Sequence, residues 1–345
     1  MFDLKPLRSL AVGHWFKLIC GASYQSLPAV RNLALVYGLA GADCIDMAAD
    51  LAVVAAAKEG LSVARGLSGE SYAQPLLMVS MSAGEEPHFR KAWFDGALCP
   101  AKCPRPCERV CPAAAIDRAG VIRDRCYGCG RCLPVCPLGL IEARSHPTSL
   151  DAIARQVLTQ VDALEIHTQV GHFDAFQSLW NIIKPWIGHL HVISISCPDG
   201  NGYIDYLKSL QRLMDLSQSK TVLMWQTDGR PMSGDIGKGT THAAVRLAQK
   251  VINSDLEGPI QLAGGTNEHT IVKLREAGLW QPFKSSSQLV PVKPRAVSGI
   301  AYGSFARHLL LPVIEQNHYL EEVPQALQQA VTLAESLVKP LKVAD

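Results

Sequence analysis

The residues Ala163-Leu-Glu-Ile-His-Thr168, followed by an amphipathic stretch from Phe173 to Ile187, decide the fold of this chain. The first is a short apolar run of strand length, and the second has apolar residues at helical spacing. Together they predict one β-strand and the α-helix that follows it. Alternation of such units along a chain is typical of a parallel sheet covered by helices.

The same pattern recurs over most of the chain. The predicted strands are Phe16–Gly21, Cys44–Ala48, Leu76–Met81, Ala163–Thr168, Leu190–Ser196, Thr221–Thr227, Pro259–Ala263 and Gly299–Gly303. The predicted helices are Leu27–Ala40, Leu51–Glu59, Leu150–Val161, Phe173–Ile187, Tyr203–Ser217, Thr241–Asn253, Thr270–Gly278, Phe305–Ile314 and Pro324–Val338. Eight such units predict an α/β fold of the (β/α)8, TIM-like barrel class. An open, doubly wound sheet is the alternative, since spacing along the chain does not prove closure.

Eight of the eleven cysteines lie in one short segment. The first run is Cys99, Cys103, Cys107 and Cys111, and the second is Cys126, Cys129, Cys132 and Cys136. The second run has the spacing C-x2-C-x2-C-x3-C-P of bacterial ferredoxins, in which the last cysteine ligates the other cluster. We therefore predict two iron–sulfur clusters with crossed ligands. Cluster 1 is assigned to Cys99, Cys103, Cys107 and Cys136, and cluster 2 to Cys126, Cys129, Cys132 and Cys111.

The two cysteine runs are not equally regular. Three residues separate each pair of neighbours in the first run, so that Cys99 or Cys103 could be spare. Cluster 2 is predicted to be 4Fe-4S, and cluster 1 either 4Fe-4S or 3Fe-4S. The repeat of Cys111-Pro-Ala-Ala-Ala-Ile116 in Cys136-Pro-Leu-Gly-Leu-Ile141 supports a two-cluster unit. Two zinc sites are the alternative, but zinc ribbons use paired C-x2-C knuckles rather than a run closed by Cys-Pro.

The cysteine-rich segment interrupts the series of strands and helices. Residues 1–83 and 147–345 are predicted to form the barrel, and residues 84–146 an inserted, ferredoxin-like two-cluster module. The insertion follows the third predicted strand. Loops after barrel strands open on the C-terminal face, which carries the active sites of such barrels.

Charged and polar residues occupy strand positions that should face the barrel interior. In the predicted strand Ala163–Thr168 they alternate with apolar residues, and helices cover the outer face. The candidate catalytic residues chosen in this way are Lys17, Asp46, Glu165, His167 and Asp228. The alternative is that ion pairs such as Lys17 with Asp46 or Glu165 only fill the interior.

The last two predicted strands end in glycines. Gly264 and Gly265 follow the seventh strand, and Gly303 and Ser304 follow the eighth. Loops at these positions often bind phosphate through backbone N–H groups, so we expect a phosphate-bearing ligand such as FMN here. A tight turn that needs glycine is the alternative reading.

Composition narrows the function further. With 345 residues, 48% hydrophobic and 19% charged, the chain has the composition of an ordinary globular protein. A formal net charge of +2 gives no electrostatic reason to expect nucleic acid as a partner. The longest apolar stretch is too short to span a bilayer. No apolar signal segment is present at the N-terminus, so we expect a cytoplasmic protein without disulfides.

The chain resembles the light-dependent period family of cyanobacterial circadian-clock proteins along essentially its whole length. The resemblance rests on Phe16-Lys-Leu-Ile-Cys-Gly-Ala-Ser-Tyr-Gln25, on the segment from Cys99 to Cys136, and on Trp225-Gln-Thr-Asp-Gly-Arg-Pro-Met-Ser-Gly-Asp-Ile-Gly-Lys-Gly-Thr-Thr241. It implies an iron–sulfur protein that reports cellular redox state, and through it light intensity, to the clock's input machinery. No catalytic residue of the barrel follows from it.

Two functions from different classes are therefore expected. The first is a redox sensor, whose partners are clock-input proteins and electron carriers or quinones, in the cytoplasm or at the thylakoid surface. The second is an oxidoreductase, in which the clusters feed electrons to a flavin or small substrate at the barrel mouth. The resemblance favours the sensor, whereas the charged interior alone favours the enzyme.

Overall fold

The computed structural model describes most of the chain. The described residues are 4–69, 72–84, 90–111, 113–123, 125–126, 128, 130–145, 150–229, 239–280 and 296–342. Cys129, assigned above to cluster 2, lies outside them.

Strands of the described residues form one closed barrel and two small sheets. In chain order the strands are β1 (Trp15–Gly21), β2 (Cys44–Ala48), β3 (Leu76–Ser82), β4 (Arg90–Trp93), β5 (Ile116–Asp117), β6 (Gly120–Val121), β7 (Glu142–Ser145), β8 (Ala163–His167), β9 (Val192–Pro198), β10 (Val222–Asp228), β11 (Ile260–Ala263) and β12 (Gly299–Tyr302). The barrel order is β1-β2-β3-β8-β9-β10-β11-β12 and back to β1, with every pairing parallel. The predicted eight-stranded α/β barrel is confirmed, and the open sheet is wrong.

Helices follow the barrel strands. They are α1 (Lys5–Val12), α2 (Leu27–Ala40), α3 (Leu51–Ser68), α4 (Pro106–Val110), α5 (Leu150–Gln156), α6 (Phe173–Ile183), α7 (Tyr203–Met214), α8 (Thr241–Ile252), α9 (Thr270–Glu276), α10 (Ser304–Ile314) and α11 (Pro324–Lys342). Outward-facing strand residues pack against them. Phe16, for example, stacks on Tyr37 of α2, with ring centroids 5.8 Å apart. Within the described ranges, no helix is both long and apolar enough to cross a bilayer.

Helix α1, which the sequence analysis did not predict, closes the N-terminal end of the barrel. Its Leu7 and Leu10 join Trp15 and other inward-facing residues in a buried apolar cluster. Nearby, Lys342 of α11 forms an ion pair with Asp43, which also accepts a hydrogen bond from the Phe16 N–H at 2.7 Å. The barrel is therefore closed by apolar packing at one end, and its polar interior lies nearer the other.

The cysteine-rich segment leaves the barrel after β3 and returns before α5. Its first and last strands, β4 and β7, pair antiparallel, with Ala92 opposite Ala143. Between them, β5 and β6 form a second antiparallel pair. The segment is tied to the barrel by Lys91, whose Nζ donates to Gln25 Oε1 at 2.7 Å and to the Arg123 carbonyl at 2.8 Å. We call residues 90–145 the module.

Candidate functional site

Cysteines from both runs converge on one cavity of the module. Cys111 of the first run and Cys126 and Cys132 of the second line it. The remaining lining residues are small or apolar: Ala92, Ala113, Ala115, Ile116 and Gly130. We call these three cysteines the cluster 2 site. A donor set of thiols in an apolar surround suits an iron–sulfur cluster, which is held by cysteine thiolates.

The chain wraps around the cluster 2 site by means of glycines and a backbone contact. Gly128 and Gly130 both have φ of 72°, a conformation that favours glycine because it has no Cβ. The Ala115 N–H points at Cys111 Sγ from 3.3 Å. Hydrogen bonds to ligand sulfurs are among the features that set the reduction potential of such clusters.

A second group, the cluster 1 site, contains Cys99, Cys103, Cys107 and Cys136. Partial burial, followed by the nearby charges of Cys103 and Cys136, raises the pKa of the Cys99 thiol. Burial likewise raises the pKa of Cys107, with a smaller contribution from Cys136. Cys136, from the second run, therefore lies beside cysteines of the first run.

Backbone N–H groups surround Cys136. Burial opposes ionisation of its thiol, yet the N–H groups of Leu138, Leu140, Ile141 and Gly139 together hold the pKa of Cys136 below its ordinary value. Gly139 has φ of 63°, which turns the chain around the sulfur. The loop is thus shaped to stabilise a thiolate, the form that binds iron.

Burial distinguishes the two sites. Cys126 and Cys132 of the cluster 2 site are buried, whereas Cys99, Cys103 and Cys136 of the cluster 1 site are half-buried. Across the described residues, no three His, Cys, Asp or Glu side chains are placed to hold a single metal ion. The cysteines of a cubane bind separate irons, so they need not meet at one point.

The barrel interior holds a buried ion-pair network. Lys17 Nζ contacts Glu165 Oε2 and lies 3.3 Å from Asp46 Oδ2. These three side chains are essentially inaccessible to solvent. Ser80 Oγ donates to Asp46 Oδ1 at 2.8 Å. The structure thus brings together three of the five candidate residues, as ion pairs.

Neutral side chains that the sequence analysis passed over extend this network. Gln226 Nε2 donates to Glu165 Oε1 at 2.8 Å, and Ser194 Oγ donates to Glu165 Oε2 at 3.0 Å. Gln261 Nε2 donates to Gln226 Oε1 at 2.6 Å, and Trp15 Nε1 donates to Gln261 Oε1 at 2.6 Å. The same alternation that identified Glu165 places Ser194 and Gln261 inside, so that signal was available.

The network separates the ionisation of its two carboxyls. Burial opposes ionisation of Glu165, but Lys17 and then His167 hold the pKa of Glu165 at about 2. Burial raises the pKa of Asp46 to about 6, because Lys17 offsets only part of it and Glu165 repels the second charge. Burial also opposes the charge of Lys17, yet Glu165 and Asp46 raise its pKa above the ordinary value. Lys17 and Glu165 therefore form the permanent ion pair, and Asp46 is the group that can take up a proton.

The other two candidates lie at the C-terminal ends of their strands. His167 Nε2 is 3.2 Å from Glu165 Oε1. Asp228 Oδ2 accepts a hydrogen bond from Ser196 Oγ at 3.3 Å. Both side chains are less than a tenth exposed. Only His167 directly joins the charged network by these contacts.

The glycine-rich strand ends are closely packed. Gly265 has φ of 93°, and a Cβ there would lie 2.7 Å from the Thr240 carbonyl oxygen. Arg307 Nη2 donates to Ser304 Oγ at 3.0 Å, and Arg307 Nη1 donates to the Ile19 carbonyl at 2.8 Å. The cavity beside Ser304 and Arg307 has room for about one water molecule. These contacts explain the glycine at 265 by packing.

An eight-stranded barrel carrying two groups of converging thiols defines a class, the iron–sulfur proteins built on a (β/α)8 barrel. Residues 99–147 match the family model described as the LdpA Fe-S cluster-binding domain, and residues 157–340 match the Light dependent period A C-terminal domain. The chain belongs to the LdpA (light dependent period A) family.

A curated relative and two solved structures complete the comparison. Light dependent period A of Synechococcus elongatus is 54% identical over 344 residues, which cover 98% of this chain and 94% of the relative. Mycobacterium tuberculosis tryptophan synthase has a TM-score of 0.44 at 10% identity and covers 99% of both chains. A pyruvate kinase from Cryptosporidium parvum has a TM-score of 0.42 at 8% identity over 97% of this chain and 72% of its own. Likeness at these two scores carries no argument about function.

Proposed function

We propose that this protein is an iron–sulfur redox sensor that conveys the light-dependent redox state of the cell to the circadian clock's input machinery. Membership of the LdpA family and the match of residues 99–147 to its Fe-S cluster-binding domain support this function. The printed name of the Synechococcus relative links that protein to a light-dependent period. The partners we propose are clock-input proteins, together with electron carriers or quinones.

One observation carries the proposal: each thiol group combines cysteines of both runs. Cys111 joins Cys126 and Cys132, and Cys136 joins Cys99 and Cys107. Such exchange of the last cysteine is a property of two-cluster ferredoxins. It supports two clusters, the eight ligands assigned from the sequence, and a ferredoxin-like module over residues 84–146.

The residues around the thiols suit electron transfer. When bound, each cluster would accept or release one electron. The cysteine thiolates would hold the iron, and the N–H groups directed at Cys111 and Cys136 would stabilise negative charge on sulfur. The outcome for the chain is a change of one unit of charge in a segment that Lys91 ties to the barrel.

The first experiment measures cluster content. Anaerobically purified protein should contain seven or eight irons per chain, and its visible spectrum should bleach on reduction. A three-iron signal in electron paramagnetic resonance of the oxidised protein would mean that cluster 1 is 3Fe-4S and that Cys99 or Cys103 is free. Colourless protein with two tightly bound zincs would refute the proposal.

The second experiment measures the sensing itself. Binding of clock-input proteins to oxidised, reduced and cluster-free protein should differ, with the redox difference lost when the clusters are removed. Equal binding by all three forms would show that the clusters do not signal.

An oxidoreductase is the second candidate, and one observation favours it. Ser304 and Arg307, at the start of α10, line a cavity together with Ala113 of the module. Cationic and hydroxyl groups there would suit a phosphate close to the cluster 2 site. Extraction of FMN or another chromophore from purified protein after cluster removal would establish this candidate. The small volume of the cavity favours the sensor.

A further inference from the structure

Positive charge is concentrated in the module. Residues 90–145 contain ten Lys and Arg and five Asp and Glu, a formal net charge of +5. The whole chain carries only +2, so the remainder is negative by three charges. A single-sign surface of this kind attracts partners of the opposite sign and speeds their association.

Much of this charge is available at the surface. Lys102, Arg109, Arg118 and Arg131 are exposed and make no ion pair within the described part of the chain. Arg105 is paired with Glu108 at 3.1 Å, and Arg144 is paired with Glu142 at 3.1 Å. The four exposed cations can therefore meet carboxylates of a partner without first breaking an ion pair described here.

Two exposed leucines lie beside the cluster 1 site. Leu98 precedes Cys99 and is 63% exposed, and Leu138 lies two residues after Cys136 and is 54% exposed. Because the charge of Cys136 acts on Cys99, both leucines lie beside one site. Lys102 lies directly before Cys103 of the same site. An apolar centre rimmed by cations is the usual anatomy of a protein docking surface.

The cluster 2 site lies on the barrel side of the module. Ala113 lines its cavity and also the cavity that contains Tyr24 and Arg307 of the barrel. Cys126 and Cys132 are buried there. An external electron carrier would therefore meet the cluster 1 site first.

We propose that Leu98, Leu138 and the exposed cations around the cluster 1 site form the docking surface for an acidic electron-carrier protein. This inference rests on the proposed sensor function and specifies its partner. One electron would pass from the reduced carrier, which is oxidised, to the chain, which is reduced, and no bond or proton would be exchanged. Cluster 1 is the entry point, and cluster 2 transmits the change to the barrel.

The surface suits a protein better than a membrane-bound quinone. Membrane-surface binding by a basic segment normally uses an amphipathic helix with a continuous apolar face. The only α-helix among the described residues of the module, α4, has five residues. Two leucines at the centre of a charged rim instead match a compact protein contact.

The test uses the complete, cluster-loaded chain and an acidic plant-type ferredoxin as the probe. Its dissociation constant would be measured by titration calorimetry at about 20 mM and about 300 mM ionic strength, where screening lengths differ severalfold. The variants are Lys102→Glu with Arg109→Glu, and Leu98→Ser with Leu138→Ser. The matched controls are Lys220→Glu with Arg246→Glu, two exposed cations of the barrel, and Leu67→Ser, which replaces a 56% exposed leucine of α3.

We expect both module variants to bind at least about tenfold more weakly at low salt and the barrel controls to bind like the parent protein. The charge effect should shrink at high salt, and the leucine effect should persist. Equal weakening by module and barrel variants would overturn the proposal. So would absence of carrier binding together with tight binding to anionic phosphatidylglycerol vesicles.

Chemical reduction separates this inference from the proposed function. If dithionite reduces the clusters and changes binding of clock-input proteins, but the ferredoxin neither binds nor reduces the chain, only the docking surface is wrong. If dithionite leaves the visible spectrum unchanged, the sensor function itself fails.

Discussion

Replacing Lys17 by Met tests whether the charged interior stabilises the barrel. Lys17 lies fully buried between Glu165 and Asp46. Methionine has a similar length and no charge, so the substitution removes the cation and keeps most of the packing. Two carboxylates then remain in an interior from which water is excluded.

The expected loss follows from the pKa of Glu165. Burial opposes its ionisation, but Lys17, with a smaller contribution from His167, lowers that pKa from 4.5 to about 2. A shift of this size corresponds to about 3 kcal/mol. Removal of one partner from a buried ion pair generally costs roughly 3–5 kcal/mol. We therefore expect Lys17→Met to lower the free energy of unfolding by about 3 to 5 kcal/mol near pH 7.5.

The loss should depend on pH in a definite direction. In the parent protein the lowered pKa of Glu165 gives stability that is present above pH 4.5 and is lost as pH falls through about 2. Without Lys17, burial and mutual repulsion raise both carboxyl pKa values above their unfolded values. The folded variant then binds protons more tightly than the unfolded chain. Its deficit should be smaller at about pH 5.5 than at about pH 7.5.

Urea unfolding, followed by tryptophan fluorescence under anaerobic conditions, measures these differences. Lys58→Met, at an exposed lysine of α3, is the control for loss of a lysine. Adding Glu165→Gln to Lys17→Met removes one of the stranded charges and should restore part of the stability. A loss below about 1 kcal/mol, within the range of surface ion pairs, would refute the reasoning.

Three further outcomes are expected. Cys136→Ser should damage cluster 1 and leave cluster 2 mostly intact, as resolved by electron paramagnetic resonance; selective loss of cluster 2 would show that each run closes on itself. Because burial raises the pKa of Asp46 from 3.8 to about 6, its contribution to stability is present below pH 3.8 and is lost as pH rises through 6. Asp46→Asn should therefore flatten the rise in urea midpoint between pH 7.5 and pH 5 by about 1.4 kcal/mol, and parallel profiles would contradict this. Glu165→Gln, His167→Ala and Asp228→Asn should keep redox-dependent partner binding in folded, cluster-loaded protein, whereas its abolition would make the barrel a working site.

The periodic part of the fold was predictable because each strand buries an apolar outer face under a helix. Its main error concerns α3, which was predicted to end at Glu59 and continues to Ser68. Gly60 suggested a helix end, but it has a packing role. A Cβ at Gly60 would lie 2.1 Å from the Arg31 carbonyl oxygen of α2, so glycine allows two helices to approach closely. Close approach of this kind depends on the partner helix and is absent from local sequence pattern.

The candidate sites were predictable to different depths. Alternation along β8 identified Glu165, and closure of the barrel brought Lys17 and Asp46 beside it, as one of the two interpretations required. Spacing indicated which cysteines belong together, since ligand loops are local. The unequal burial of the two thiol groups was not predictable, because it depends on how the module lies against the barrel.

The contact between module and barrel is where a change of cluster charge can act on the larger domain. Lys91 joins the Arg123 carbonyl, three residues before Cys126, to Gln25 of the barrel. Gln25 Nε2 donates to Asp50 Oδ2 at 3.2 Å, and Asp50 Oδ1 accepts from the Ala52 N–H at the start of α3. A charge gained in the module would strengthen the hold on Lys91, since a nearby negative charge attracts a buried ammonium in a medium of low dielectric constant. The barrel interior, whose charges are already paired with one another, has no comparable contact with the module among these bonds. The physical basis for sensing therefore lies at this hydrogen-bonded junction rather than in the polar interior.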